Sequence, residues 1–433
     1  MMFWALKRGC HLALGEALEG PRLRFLHISP LGKEVHSVSL GEVADVLEDR
    51  SDAAGAASVA VKYKWGVAEY QKGEYDKVIG LLDSIPFAAA HFYVGLAWFE
   101  KSDTSAALSH CLGMASEQFQ KALRSEPSSS LNAALFHLSL GEVYSRQLGA
   151  GIAANRDATL LSATSELGAA SKLSATFPNN DIGPRAKLAL ATTYSYPDFL
   201  IPHLSEAETL LRDVVVTANG DLADEARSRL VFTLGATVLN DKRPARKVCE
   251  EVKALHRDLD RSPQATSADR LNSAIGLASC AAALGDLSLF RAAEGELQVD
   301  VARQQKAGRR LDEAYARENL GTARMNYASS AQKDLTRFDI LEAAAGEFAE
   351  AVLLYREVGS NGQCSALDGE ARARFYQAEQ ATGNARFTAL SYGIAVFDAM
   401  AAMPACRDYM ADLDRWVRSA RAELSLGDVR KPH

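Results

Sequence analysis

The chain has 433 residues, of which 48% are hydrophobic and 24% are charged, and its formal net charge is -7. This composition is globular, and the length allows several cores or one elongated core. The negative charge provides no basic surface for nucleic acid, and no apolar run approaches the length that crosses a bilayer. We therefore expect neither nucleic-acid binding nor membrane insertion.

The first 54 residues differ from the rest and are expected to form a capping segment. RLRFLHISPLGKEVHSVSL is rich in β-branched and aromatic residues, and Ser39 as an N-cap predicts a short amphipathic helix over Leu40–Leu47. Lys7 and Arg8 interrupt the apolar start and no small-residue cleavage site follows, so we expect no signal peptide. Such a cap covers the open end of a stack of helices.

The stretch from Trp65 to Pro86 predicts two helices rather than one. Gly66 and Gly73 lie two helical turns apart, although glycine inside a helix costs about 1 kcal/mol relative to alanine. Gly66 suits a close approach between two helix backbones, and Gly73 suits a turn with unusual backbone angles. The second helix, which Pro86 ends, has an apolar stripe of Tyr75, Val78 and Leu82.

This helix pair resembles the tetratricopeptide repeat. The residues that carry the resemblance are Gly66, Tyr70, Gly73, Tyr75, Val78 and Pro86. Val78 stands where the family usually has alanine, and Lys62 stands where it prefers tryptophan. The resemblance implies an all-α fold, a right-handed superhelical solenoid of antiparallel helix pairs.

The pattern recurs along the chain. Small residues occupy the first helix of later pairs at Gly95, Gly141, Ala191, Gly235, Ala278 and Gly321, and turn residues follow at Gly285 and Gly383. Gly235, Ala278 and Gly321 are separated by 43 residues, whereas the period of the family is about 34. The spacing is similar to that of long-helix variants of the family. We expect about eight helix pairs over residues 55–433.

Two glycine- or proline-containing segments interrupt this pattern. Gly149 and Gly151 in LGAGIAA superficially fit a nucleotide-binding loop, but a helix rather than a strand precedes them, which favours a helix-helix turn. Pro197 and Pro202 predict an ordered loop between the helices of one pair.

The resemblance also indicates where a partner binds. The fifth position of the first helix faces the groove in this family, and it carries Tyr63, Phe92 and Leu138 here. These residues imply a groove for an apolar or aromatic peptide; the alternative is packing between helices. The Lys and Asn clamp of chaperone-binding members is replaced by Tyr63, Val67, Tyr93 and Ser139. We expect no partner that presents its C-terminal carboxylate.

No residue pattern predicts a catalytic, metal or cofactor site. His91 and His137 occupy equivalent positions in two first helices, and packing is favoured over a ligand role because no carboxylate lies one turn away. His256, in KALHRDLDR, is expected on a solvated charged face.

The six cysteines are Cys10, Cys111, Cys249, Cys280, Cys364 and Cys406. None forms a CxxC pair, so free thiols in the cytoplasm are expected. The alternative is a bridge between Cys364 and Cys406, which, with a start further upstream, indicates the cell envelope or periplasm.

The expected function is a non-enzymatic scaffold or adaptor that binds a peptide or helix of a partner protein. One alternative is a regulatory module that senses a ligand or peptide and relays a change of curvature. Another is an enzyme built as a closed helical toroid, against which the uneven spacing and the absence of paired motifs argue.

Overall fold

The computed structural model describes residues 11–13, 22–29, 32–39, 53–102, 107–150, 152–240, 244–330, 336–360 and 362–429. The chain divides into an N-terminal unit, Met1–Ala218, and a C-terminal unit, Asn219–His433.

A three-stranded antiparallel sheet precedes the helices. Its strands, in the spatial order β1-β2-β3, are β1 (His11–Ala13), β2 (Arg22–Ser29) and β3 (Gly32–Ser39). Arg22 pairs with Ser39 at one end of the β2–β3 hairpin and Ser29 pairs with Gly32 at the other. The all-α prediction therefore holds for the described residues from Ala53 onwards, and the predicted helix over Leu40–Leu47 lies outside the described residues.

From Ala53 onwards, the described residues of the N-terminal unit are mostly helical. The helices are α1 (Ala53–Gln71), α2 (Tyr75–Leu82), α3 (Ala88–Lys101), α4 (Leu108–Ser125), α5 (Leu131–Gly149), α6 (Arg156–Ser174), α7 (Ile182–Tyr194) and α8 (Pro197–Thr217). Consecutive helices pack against each other throughout.

The glycine pattern of the first pair is confirmed. A Cβ on Gly66 would collide with the side chain of Leu82, so α1 and α2 approach each other closely at this point. Gly73 has a φ of 77°, which an L side chain rarely adopts, and it forms the turn between the two helices. The same arrangement recurs at Gly95, where a Cβ would lie 2.6 Å from the ring of Phe119.

The C-terminal unit continues with longer helices. They are α9 (Gly220–Asn240), α10 (Ala245–Arg261), α11 (Ser267–Leu284), α12 (Leu287–Lys306), α13 (Arg310–Ser330), α14 (Thr336–Glu357), α15 (Gln363–Gln380), α16 (Gly383–Ala401) and α17 (Met410–Val429), with a 3-10 helix at Pro404–Tyr409. Gly285 and Gly383 have positive φ angles, as expected of turn residues.

Helices alternate between two structural roles in each unit. We call the odd-numbered helices α1 to α15 the A helices and the even-numbered helices α2 to α16 the B helices. Within each unit every A helix contacts its own B helix and also the next A helix, from α1 to α7 and from α9 to α15. No consecutive B helices among the described residues bring their backbones together to the same extent.

The prediction of a loop at Pro197 is wrong. Helix α8 begins at Pro197 and includes Pro202. Proline is tolerated at the start of a helix because the missing N–H has no acceptor there and the fixed φ suits the first turn. Gly149, in contrast, ends α5, and α6 begins only at Arg156, which agrees with the predicted helix-helix turn.

Candidate functional site

The three predicted groove residues lie in the interior of the N-terminal unit. Tyr63, Phe92 and Leu138 are 7%, 4% and 2% exposed. The Tyr63 ring lies 5.0 Å from that of Phe87, and the Phe92 ring lies 4.8 Å from that of Phe136. These contacts are packing between helices, which is the alternative that the sequence left open. Binding of a partner at these positions stays a prediction.

His91 and His137 each contact a side chain of the following B helix. The Nδ1 atom of His91 lies 2.9 Å from Oε1 of Gln118 on α4. The Nδ1 atom of His137 lies 2.5 Å from Oε2 of Glu166 on α6. Both histidines thus connect the A and B helices of one pair.

His256 is buried, although the sequence placed it on a solvated face. It follows Cys249 and Val252 along the face of α10 that packs inward, and only 8% of it is exposed. Of its charged neighbours in KALHRDLDR, Lys253 is half-buried, and Arg257, Asp258 and Arg261 are exposed. The spacing of seven residues from Cys249 is the signal that would have placed His256 on the buried face.

The imidazole of His256 is held from both of its nitrogens. Its Nδ1 lies 2.9 Å from the buried hydroxyl of Ser273 on α11. Its Nε2 lies 3.2 Å from Oε1 of Glu296 on α12 and 3.4 Å from Oδ2 of Asp260, one turn further along α10. The hydrogen bond to Glu296 raises the pKa of His256 above its ordinary value, burial opposes this, and the negative charges of both carboxylates add to it.

These three side chains form a group that can hold a metal ion. One ligand atom from each of His256, Asp260 and Glu296 lies within 4.8 Å of the other two. The carboxylates are partly exposed, 47% for the Asp260 side chain and 38% for Glu296, so the group opens to solvent on one side. The sequence predicted no metal site. The His-x-x-x-Asp spacing on one helix was a usable signal, whereas Glu296 comes from another helix pair.

A second polar cluster joins α13, α14 and α15. Glu318 accepts hydrogen bonds from the Tyr355 hydroxyl at 2.7 Å and from the Ser365 hydroxyl at 2.5 Å. Burial raises the pKa of Glu318 above its ordinary value, and the two hydroxyls oppose this shift. Burial and the neighbouring carboxylate also raise the pKa of Tyr355. The cluster thus ties three helices together through one carboxyl group.

A buried ionic network lies in the same unit. The Arg324 guanidinium donates to Glu294 at 2.8 Å and to Glu347 at 3.0 Å, and its side chain is only 9% exposed. Arg317 donates to Glu347 from the other side at 2.8 Å. Ion pairs therefore join helices α12, α13 and α14, and their side chains are poorly accessible to solvent.

Four cysteines form two disulfides, and Cys111 is free and buried among the described residues. Cys249 on α10 is bridged to Cys280 on α11, with 5.5 Å between their Cα atoms. Cys364 on α15 is bridged to Cys406 in the 3-10 helix, with 5.1 Å between their Cα atoms. The expectation of free thiols is wrong for these four residues, and the bridge that the sequence held as an alternative is present.

In the part of the chain that the structure describes, no helix is both long enough and apolar enough to cross a membrane. In comparisons with known proteins, no family model and no curated sequence matches this chain.

Proposed function

We propose that the chain is a tetratricopeptide-like helical repeat scaffold that binds a peptide or helix of a partner protein. The supporting observation is the contact of each A helix with the next A helix in both units. Stacked helices of this kind form an extended surface within each unit, to which every pair contributes one helix, and such surfaces suit extended peptides and amphipathic helices. The glycines at positions 66, 95, 141 and 235 support the resemblance to the family because each allows a close helix approach.

Exposed apolar residues on an A helix offer the partner a place to bind. Leu311 and Tyr315, one turn apart on α13, are 52% and 51% exposed. Large apolar side chains that remain in water gain about 1.5–3 kcal/mol when they are fully buried. Leu353, on the B helix α14, is 55% exposed and provides a matched control on the other type of helix.

The test is a crosslinking pull-down from a lysate of the native host, read by mass spectrometry. Charged substitutions at Tyr63, Phe92 or Leu138 would disturb the core, so the variants are Leu311→Glu and Leu353→Glu. We expect Leu311→Glu to reduce recovery of a reproducible partner by at least about tenfold, the equivalent of 1.4 kcal/mol, and Leu353→Glu to leave it unchanged. Equal recovery with all three proteins, or crosslinks confined to B helices, would contradict the proposed surface.

We also propose that the protein matures in an oxidising compartment, the alternative to the cytoplasm. The observation that favours it is the pair of disulfides, because such bonds persist outside reducing compartments. Alkylation of the protein from its native host, without and with prior reduction, tests this location. We expect Cys249, Cys280, Cys364 and Cys406 to be labelled only after reduction. Labelling of all four cysteines before reduction would contradict this proposal and indicate a reducing compartment.

A further inference from the structure

We propose that His256, Asp260 and Glu296 bind one divalent metal ion from the group Zn²⁺, Co²⁺, Mn²⁺ and Fe²⁺. The site lies between helices α10 and α12, the B helices of two consecutive pairs, on the side where both carboxylates reach solvent. This ion is independent of the partner surface on the A helices.

The spacing of the donor atoms fits such an ion. A tetrahedral ion with bonds of about 2.0–2.2 Å holds neighbouring ligand atoms about 3.3–3.6 Å apart. The Nε2 atom of His256 lies 3.2 Å from the Glu296 oxygen and 3.4 Å from the Asp260 oxygen. The oxygens of Asp260 and Glu296 lie within 4.8 Å of each other, so these two partly exposed carboxylates have to adjust, whereas His256 itself is fixed in the interior.

The donor set selects the class of metal. One imidazole nitrogen and two carboxylate oxygens suit Zn²⁺, Co²⁺, Mn²⁺ or Fe²⁺, whereas Ca²⁺ and Mg²⁺ prefer oxygen ligands alone. Three protein ligands leave a fourth position of a tetrahedral ion for water, and the solvent-facing side of the group provides room for it.

The hydroxyl of Ser273 is placed to orient the His256 ring at a metal site. Ligating histidines almost always use their second ring nitrogen in a hydrogen bond that fixes the orientation of the ring. Nδ1 of His256 lies 2.9 Å from the Ser273 hydroxyl, which is fully buried on α11, so Nε2 is directed at the two carboxylates. Helices α10, α11 and α12 thus all contribute to the site.

The bound ion would act as a cross-link between two helix pairs. Asp260 and His256 belong to α10, and Glu296 belongs to α12. The backbones of α10 and α12 do not pack together as closely as those of consecutive A helices. A metal that binds only the folded arrangement stabilises it by mass action.

The test uses the purified full chain, freed of metal with EDTA and titrated with Co²⁺ and then Zn²⁺. Visible absorption of Co²⁺ reports the coordination, and equilibrium dialysis reports the stoichiometry. The variants are Asp260→Asn and Glu296→Gln, which change partly exposed side chains. The matched control is His137→Gln, because His137 contacts the single carboxylate of Glu166 among the described residues.

We expect one equivalent of metal to bind to the unmodified chain and to His137→Gln. Either carboxylate variant should weaken that binding by more than about 100-fold, beyond the usual effect of an outer-shell change. Circular dichroism of the metal-free proteins checks that all of them fold. Absence of binding to the folded unmodified chain, or binding that both carboxylate variants retain, would show that the group is only a hydrogen-bonded ion triad.

Discussion

The close contact between two A helices predicts opposite effects for two glycine-to-alanine substitutions. Gly235 on α9 faces α11, and a Cβ placed on it would lie 2.7 Å from the Cα and 2.9 Å from the carbonyl oxygen of Gly276. Both of these atoms belong to a helix backbone, which cannot rotate away as a side chain does. A Cβ on Gly295 of α12 would meet no atom within 4 Å.

The magnitudes follow from helix propensity and from packing. Each substitution replaces a helical glycine, which favours the folded state by about 0.5–1 kcal/mol. Overpacking against an immobile neighbour costs about 1–3 kcal/mol. We therefore expect Gly295→Ala to stabilise the C-terminal unit and Gly235→Ala to destabilise it. The two variants should differ by about 1–3 kcal/mol, or about 2–12 °C in melting temperature for a unit of this size.

Thermal unfolding by circular dichroism measures this difference on the full chain. Hydrogen exchange of peptides from α9 and α11 localises it, because amides in a loosened interface lose protection. The reasoning is refuted if Gly235→Ala melts at or above the temperature of Gly295→Ala. It is also refuted if the loss of protection appears only outside α9 and α11.

Four further substitutions test the polar interior and the metal site. Arg324→Met removes a buried guanidinium from two carboxylates and should lower the free energy of unfolding in urea by about 3–5 kcal/mol. The same change at Arg421, whose ion pair is about half exposed, should alter it by less than about 1 kcal/mol. Because burial raises the pKa of Glu318, its ionisation opposes folding. The free energy of unfolding should therefore fall as the pH rises from 4.5 through the pKa of Glu318 in the folded state. Glu318→Gln should not show this fall in urea titrations at a series of pH values. Ser273→Ala should weaken Co²⁺ binding about 10–100-fold without changing the stoichiometry, because the His256 ring loses its orienting partner.

Local features of the fold were predictable because one residue type satisfies them. Gly73 adopts a positive φ, which glycine does without steric cost, and Gly66 lies where a Cβ would collide with the neighbouring helix, so their spacing indicated a turn between two helices. The same reasoning holds for Gly285 and Gly383. Pro197 and Pro202 misled the prediction: Pro197 lies in the first turn of α8, where proline is tolerated, and α8 includes Pro202 despite the penalty of proline in a helix interior.

Features that depend on pairing between distant segments were not predictable. Cys249 and Cys280 carry no local sign that they are bridged, because the pairing depends on the register of two helices. The charge pattern around His256 could indicate Asp260 but not Glu296, because Glu296 reaches His256 from another helix pair. The aromatic character of Tyr63 and Phe92 was compatible with a groove or a core, and burial distinguishes the two only in three dimensions.

The contacts of α11 argue against a change of curvature between the first two pairs of the C-terminal unit. Cys280 is bridged to Cys249, and Ser273 lies against His256. Along each helix these two contacts are seven residues apart, which is about two turns, as an antiparallel register requires. On another side, the backbone of α11 touches α9 at Gly235. A helix held by a covalent bond to one neighbour and by backbone contact to the other cannot slide or tilt without breaking one of them. Within the described residues of this block, α11 therefore provides no free hinge for a curvature relay, whereas a scaffold that presents a fixed surface needs none.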